Sequence, residues 1–162
     1  MERAAGDASD LLQQAAGLFA GERDPWANSA NAAALVYELL PGLNWAGFYF
    51  LRGGELVVGP FQGRAACVRI ALGSGVCGTA AGSHETVIVA DVHAFPGHIA
   101  CDAASNSEIV VPLLSGGKRI GVLDLDSPEY GRFGPADAAL LEALADQLVA
   151  ACDWRLAGID GF

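Results

Sequence analysis

The sequence predicts an α+β fold: a central antiparallel sheet of about six strands, N- and C-terminal helices packed on one face, and loops covering a pocket on the other. Three observations lead there. Segments with helical spacing open and close the chain. Between them the apolar period drops to two. The two-period segments are joined by short turns, as in hairpins, and no internal repeat or Pro/Gly/Ser-rich linker divides them.

The elements follow in order. SDLLQQAAGLF, residues 9–19, has Leu11, Leu12, Ala15 and Phe19 at helical spacing, with Ser9 or Asp10 as candidate N-cap. Asp24-Pro25 opens a second helix through Leu40, with proline in the first turn, where its missing N–H costs nothing. Pro41-Gly42 ends it. NWAGFYFL reads as a strand, Arg52 to Glu55 as its turn, and ELVVGPF as the return. AACVRIAL is a further short strand, and GSGVCGTAAGS a loop with one or two helical turns. ETVIVADV is another strand, followed by a long loop over residues 93–106. SEIVVPLL, a turn at residues 115–118 and RIGVLDLD form a hairpin, and Pro135 to Arg155 a closing amphipathic helix. All 162 residues are expected to form one domain, with helices over 1–41, the sheet and its loops over 43–127, and the last helix over 135–155.

Composition excludes several functions. Nine Lys+Arg against 19 Asp+Glu give a net charge of −10, which disfavours nucleic acid and anionic membranes as partners. No run reaches the roughly 18 apolar residues of a membrane span. The opening MERAAGDASD lacks the pattern of a signal peptide, so the expected compartment is cytoplasmic, where structural disulfides are unusual. The four cysteines therefore call for burial or chemistry. Cys152, among Leu148, Val149 and Ala151, reads as a small buried hydrophobe. Cys67 and Cys77 also have an ordinary reading as structural thiols. Cys101 differs, because a loop position beside Asp102 predicts access. No metal is expected: there is no C-x-x-C, and Cys67, Cys77 and Cys101 lie 10 and 24 residues apart. No oxyanion-hole turn marks a Cys–His hydrolase.

Strand alternation sorts the remaining candidates. Trp45, Gly47 and Tyr49 share a face, opposed to Ala46, Phe48 and Phe50. Val122, Asp124 and Asp126 share a face, and Glu108 lies with Val110. One side of the sheet is then greasy, while the other carries three acids and two large aromatics, like a pocket floor. Acids on an antiparallel strand are commonly just solvated, and Trp and Tyr commonly just packed. Asp124 and Asp126 are harder to dismiss. Asp is depleted in strands, and two like charges roughly 7 Å apart call for a cationic partner or a raised pKa.

In NWAGFYFL, GPFQGRAACVRI, GSGVCGTAA, PGHIACD, SEIVVP and LDLDSP, in that order between Asn44 and Phe133, the chain resembles the free methionine-(R)-sulfoxide reductases, stand-alone enzymes on the GAF fold. The resemblance implies reduction of free L-methionine-(R)-S-oxide, with Cys101 as nucleophile, Cys67 as resolving thiol, and Cys77 as an auxiliary or alternative resolving thiol. It implies that Trp45 and Tyr49 box the methyl-sulfoxide end and that Glu108, Asp124 and Asp126 are pocket acids. Cys152 receives no role. The implied chemistry is attack of Cys101 on the sulfoxide sulfur, a Cys101 sulfenic acid, and a Cys67–Cys101 disulfide. The family needs no bound cofactor. The reductant is an external dithiol, thioredoxin, supplied with NADPH through thioredoxin reductase, and a homodimer is compatible with the sequence. An acid donating a proton near neutrality needs a raised pKa, and disulfide formation needs the two α-carbons within about 7 Å. The rival readings are a ligand-binding GAF sensor and a thiol redox switch without turnover.

Overall fold

A computed structural model describes residues 8–162. The chain runs α1 (Ala8–Phe19), α2 (Pro25–Leu39), β1 (Trp45–Arg52), β2 (Glu55–Gly63), β3 (Arg69–Ala71), α3 (Gly75–Ser83), β4 (Val87–Val89), β5 (Ser107–Ser115), β6 (Lys118–Ser127) and α4 (Pro135–Ala151). The six strands form one antiparallel sheet in the order β3-β2-β1-β6-β5-β4. Hairpin connections join β1 to β2 and β5 to β6, as the two-period segments predict.

Local chemistry sets most boundaries. Asp24 caps α2, its carboxylate accepting from the amides of Trp26 at 2.8 Å and Ala27 at 3.0 Å, with Pro25 next in the first turn. Helix α1 is already helical at Ser9 and Asp10, so neither is the cap. Both are exposed, and Asp10 sits in the first turn, where an acid favours the helix dipole. In the β1–β2 turn Gly53 and Gly54 both have positive φ, and their amides donate to the Asp160 carboxylate.

Three boundaries differ from the sequence reading. AACVRIAL is a strand only over Arg69–Ala71, so Cys67 lies in irregular chain before β3. ETVIVADV pairs only over Val87–Val89, because Asp91 turns to cap a short 3-10 helix, accepting from the His93 amide at 2.9 Å. The closing helix stops at Ala151 instead of Arg155. Cys152 is extended, the Asp153 amide donates to the Arg23 carbonyl, and Asp153 caps a separate 3-10 turn over Trp154–Leu156.

Helices α1, α2 and α4 bury one face of the sheet, where Phe48, Phe50, Ile109, Val111, Leu123 and Leu125 meet Leu11, Val36, Leu141 and Leu144. A fully buried Phe or Leu here contributes about 2 kcal/mol by removal from water. The opposite face carries the acids and aromatics that the sequence placed there, and around them it is apolar as well. Leu56, Ile70, Val76, Val89, Val110 and Val122 pack there beneath α3, around Trp45 and Tyr49. With both faces covered, β1 is buried from Trp45 through Leu51. No described helix is long and apolar enough to cross a membrane.

Candidate active site

The register of three central strands assembles the pocket floor. Across β1 and β6, Trp45 lies opposite Asp126, Gly47 opposite Asp124 and Tyr49 opposite Val122. Across β5 and β6, Glu108 lies opposite Asp126 and Val110 opposite Asp124. Trp45, Asp126 and Glu108 thus form a row across three strands, with Gly47 and Asp124 in the next row. Alternation along each strand placed these residues on one face, and pairing makes them neighbours. Cys77, from the first turns of α3, closes over the acids. His98, Cys101, Asp102 and Ser105 descend from the long loop onto the same pocket.

Burial makes this cluster unusual. Glu108 and Asp124 are 6% and 5% exposed, and only Asp126 reaches solvent at the rim. Burial, then repulsion from Asp124 and Asp126, pushes the Glu108 carboxyl well above the ordinary carboxylate range. Asp126 is likewise pushed well up by desolvation and by the charges of Asp124 and Asp102, with Ser105 opposing. Asp124 is raised by burial alone, against hydrogen bonds from Glu108 and Cys77. The Cys77 thiol, buried among these acids, is also raised, and donates to Glu108 Oε1 at 3.8 Å. Burial therefore favours the protonated forms across this floor. Asp124 Oδ1 is buried with no partner among the described residues. His98 Nε2 stands 4.0 Å from Glu108 Oε2, and desolvation, then His93, lowers its pKa and so favours the neutral ring.

Donor atoms of Cys77, Glu108 and Asp124 lie within 4.8 Å of one another, the one described group with a geometry that a metal ion could use. Burial disfavours the charged forms of all three that would ligate a metal, which works against a cation there.

Above the floor lies the disulfide. Cys67 and Cys101 are bonded, with α-carbons 5.3 Å apart. The long loop therefore rests over the chain before β3, as the reach argument required. Two aromatics of β1 fix that chain from below. Tyr49 Oη donates to the Cys67 carbonyl at 3.1 Å, and Trp45 Nε1 to the Arg64 carbonyl at 3.1 Å. Burial, followed by the charges of the acids, raises the Tyr49 pKa, so the phenol stays a donor. Trp45 is stacked between Tyr49, with centroids 5.8 Å apart, and Phe61, at 5.2 Å. Cys152 lies across the sheet in the helix-facing core, where it accepts from Asn28 Nδ2 at 3.5 Å.

Every sequence-predicted residue lines this pocket except Cys67, which sits beyond its lip. Several partners were not foreseen. Asn44 Nδ2 donates to Asp102 at 3.1 Å and Ser105 at 3.0 Å, tying the Cys101 loop to the start of β1. His98 carried a usable signal, being three residues from Cys101 in PGHIACD. Asn44 and Phe61 carried none, because their roles arise from tertiary contact. Gly47 has a steric role: a Cβ there would strike Phe61, and would lie 2.8 Å from the Trp45 ring. Gly47→Ala is expected to displace the indole and cost about 2 kcal/mol, the ordinary penalty of overpacking. Urea unfolding checks the stability, and near-UV circular dichroism checks the Trp45 stack.

Comparison with known proteins places this architecture. A GAF domain model matches residues 30–153. The free methionine-R-sulfoxide reductase of Escherichia coli strain K12 is 54% identical over 140 residues, covering 86% of this chain and 85% of that protein. The protein of that name from Saccharomyces cerevisiae is 45% identical over 153 residues, covering 90% and 85%. The crystal structure of free methionine-R-sulfoxide reductase from Neisseria meningitidis, in complex with its substrate, superposes with a TM-score of 0.87 at 45% identity, covering 93% of each chain. The chain belongs to the free methionine-R-sulfoxide reductase family of GAF-domain proteins.

Proposed function

We propose that the protein reduces free L-methionine-(R)-S-oxide to methionine, and that Cys101 is its nucleophile. One observation carries the reading: a Cys67–Cys101 disulfide at the lip of a pocket floored by two buried acids, Glu108 and Asp124, with Asp126 at its rim. The names of the Escherichia coli and Saccharomyces cerevisiae relatives support it.

The Cys101 sulfur attacks the sulfoxide sulfur while a floor carboxyl protonates the oxygen. The protonated oxygen passes from the substrate sulfur to the Cys101 sulfur as the bond between the two sulfurs breaks, so that methionine leaves and Cys101 is a sulfenic acid. The Cys67 thiol then attacks the Cys101 sulfur, forming the disulfide and releasing water. An external dithiol supplies two electrons and two protons to restore both thiols. Thioredoxin, fed by NADPH through thioredoxin reductase, fits that requirement and the reducing cytoplasm in which such a cycle runs.

The pocket supports division of labour among the acids. Asp126, at the rim and opposite Trp45, ionises when the arriving substrate ammonium offsets the repulsion of its neighbours, while the more deeply buried Glu108 and Asp124 beside Cys77 supply the proton. Trp45 and Tyr49 offer aromatic walls to the sulfinyl methyl group. A methionine sulfoxide within a peptide has no ammonium to meet Asp126, which restricts the site to the free amino acid. Cys77, held as a thiol within the floor, is an auxiliary partner and not the first nucleophile.

The test is NADPH consumption with thioredoxin and thioredoxin reductase, using the R and S epimers of free methionine sulfoxide and a blocked peptide. The R epimer alone is expected to be consumed. Failure of the dithiothreitol-reduced protein to form methionine from the R epimer overturns the reading.

A further inference from the structure

The chain around the disulfide is unlike the rest of the surface. Val68, next to Cys67, is 61% exposed, and Ile99, two residues before Cys101, is 37% exposed. The bond between Cys67 and Cys101 brings these two side chains to the same lip. Val68 is held outward because its carbonyl accepts from the Val58 amide at 3.0 Å. Ile99 packs back on Gly75, where a Cβ would come within 3.2 Å of it.

Charge on the Cys67 side of this lip departs from the whole as well. The protein carries −10 overall, yet residues 61–70 hold two arginines and no acid. Arg69 is paired with Glu55 at 2.9 Å. Arg64 is exposed, and no described residue pairs with its guanidinium. The two sulfurs are not equivalent either. Cys101 lines the pocket, whereas Cys67 lies outside it in partly exposed irregular chain.

We propose that Val68 and Ile99, with Arg64 beside them, form the docking surface for a dithiol protein reductant, whose thiolate attacks the sulfur of Cys67 and not that of Cys101. This rests on the redox cycle proposed above. The apolar pair receives the apolar surroundings of the partner's nucleophilic sulfur, and Arg64 offsets the charge of the arriving thiolate in an otherwise acidic molecule. Attack at Cys67 forms a mixed disulfide there and expels Cys101 as a thiolate, inside the pocket where the next sulfoxide binds. The partner's second thiol then displaces Cys67, leaving the partner oxidised and both enzyme thiols reduced. Electrons thus enter from the outer side of the lip, and oxygen from the inner side.

Two measurements test this. The oxidised enzyme is mixed with thioredoxin whose second active-site cysteine is replaced by serine, acid-quenched, and mapped by peptide mass spectrometry. The mixed disulfide is expected on the peptide holding Cys67, and a bond to Cys101 overturns the assignment. Separately, Val68→Glu is expected to slow disulfide reduction by intact thioredoxin about ten-fold. Reduction of the same variant by dithiothreitol should keep its wild-type rate. An unchanged thioredoxin rate overturns the docking surface. If Val68→Glu also slows dithiothreitol, Arg64→Glu decides by the same comparison. Methionine formation by prereduced enzyme is scored apart, so failure of the reductase reading is distinguishable from failure of the docking surface.

Discussion

Cys101→Ser is expected to lower steady-state methionine formation by about 10⁴-fold or more, because no other described thiol combines access with a place on the pocket wall. Cys77 is buried and protonated within the acid cluster, so it does not substitute as first nucleophile. Cys67→Ser separates the two half-reactions. The oxygen is transferred before Cys67 acts, so the reduced variant should release about one methionine per enzyme in a single turnover and then stall. A dimedone adduct on Cys101 in that variant reports the sulfenic acid directly. Wild-type turnover in Cys101→Ser, or no burst in reduced Cys67→Ser, contradicts the scheme.

Removing acids should divide kcat from KM. Glu108→Gln keeps shape and hydrogen bonding at the buried end of the row but removes a dissociable proton. It is expected to lower kcat about 100-fold with little change in KM, the magnitude of a general acid. Asp126→Asn, at the rim, should instead raise KM for the free amino acid while retaining more of kcat. The pH dependence follows from the upward shift. A donor with a raised pKa is active when protonated, so wild-type kcat falls as pH rises through that value. Stability moves the same way in the substrate-free protein. Above the ordinary carboxylate pKa, near 4, the unfolded chain releases protons that the native cluster retains. The contribution of the cluster is therefore fully present below that range and is lost as pH rises through the raised native values. Urea midpoints of the wild type should fall between pH 5 and pH 8, and Glu108→Gln should flatten the decline. A midpoint that rises across this interval in the wild type but not in the variant reverses the assignment.

Much of this site was legible because strands impose a two-residue period. That period alone placed Trp45 with Tyr49 and Asp124 with Asp126, and the register of β1, β6 and β5 then joined them. Asp124 drew notice because Asp is depleted in strands and a like charge two residues away calls for a cationic partner or a raised pKa. Legibility ended where side chains act across the fold. The apolar residues of AACVRIAL look like a strand, yet Cys67 remains outside β3, its carbonyl accepting from Tyr49. The pairing of Cys67 with Cys101 followed from family resemblance and not from the spacing of 34 residues. Nothing local announces that Asn44 fastens Asp102 and Ser105, or that Gly47 leaves room for an indole. The end of the last helix was misread because Asp153 prefers the Arg23 carbonyl and its own 3-10 turn to another helical turn.

The two aromatic tethers beneath residues 64–67 bear on survival under oxidant. Tyr49 and Trp45 hold the backbone of this segment through carbonyl groups, and neither bond involves a sulfur atom. Neither anchor depends on the bridge, so both still tether the Cys67 segment when the bridge opens. In the proposed cycle a newly oxygenated Cys101 then meets a trap at once, before a second oxidising equivalent can carry it to the irreversible sulfinic state. The rigidity of two rings in the sheet is thereby converted into a short lifetime for a fragile intermediate.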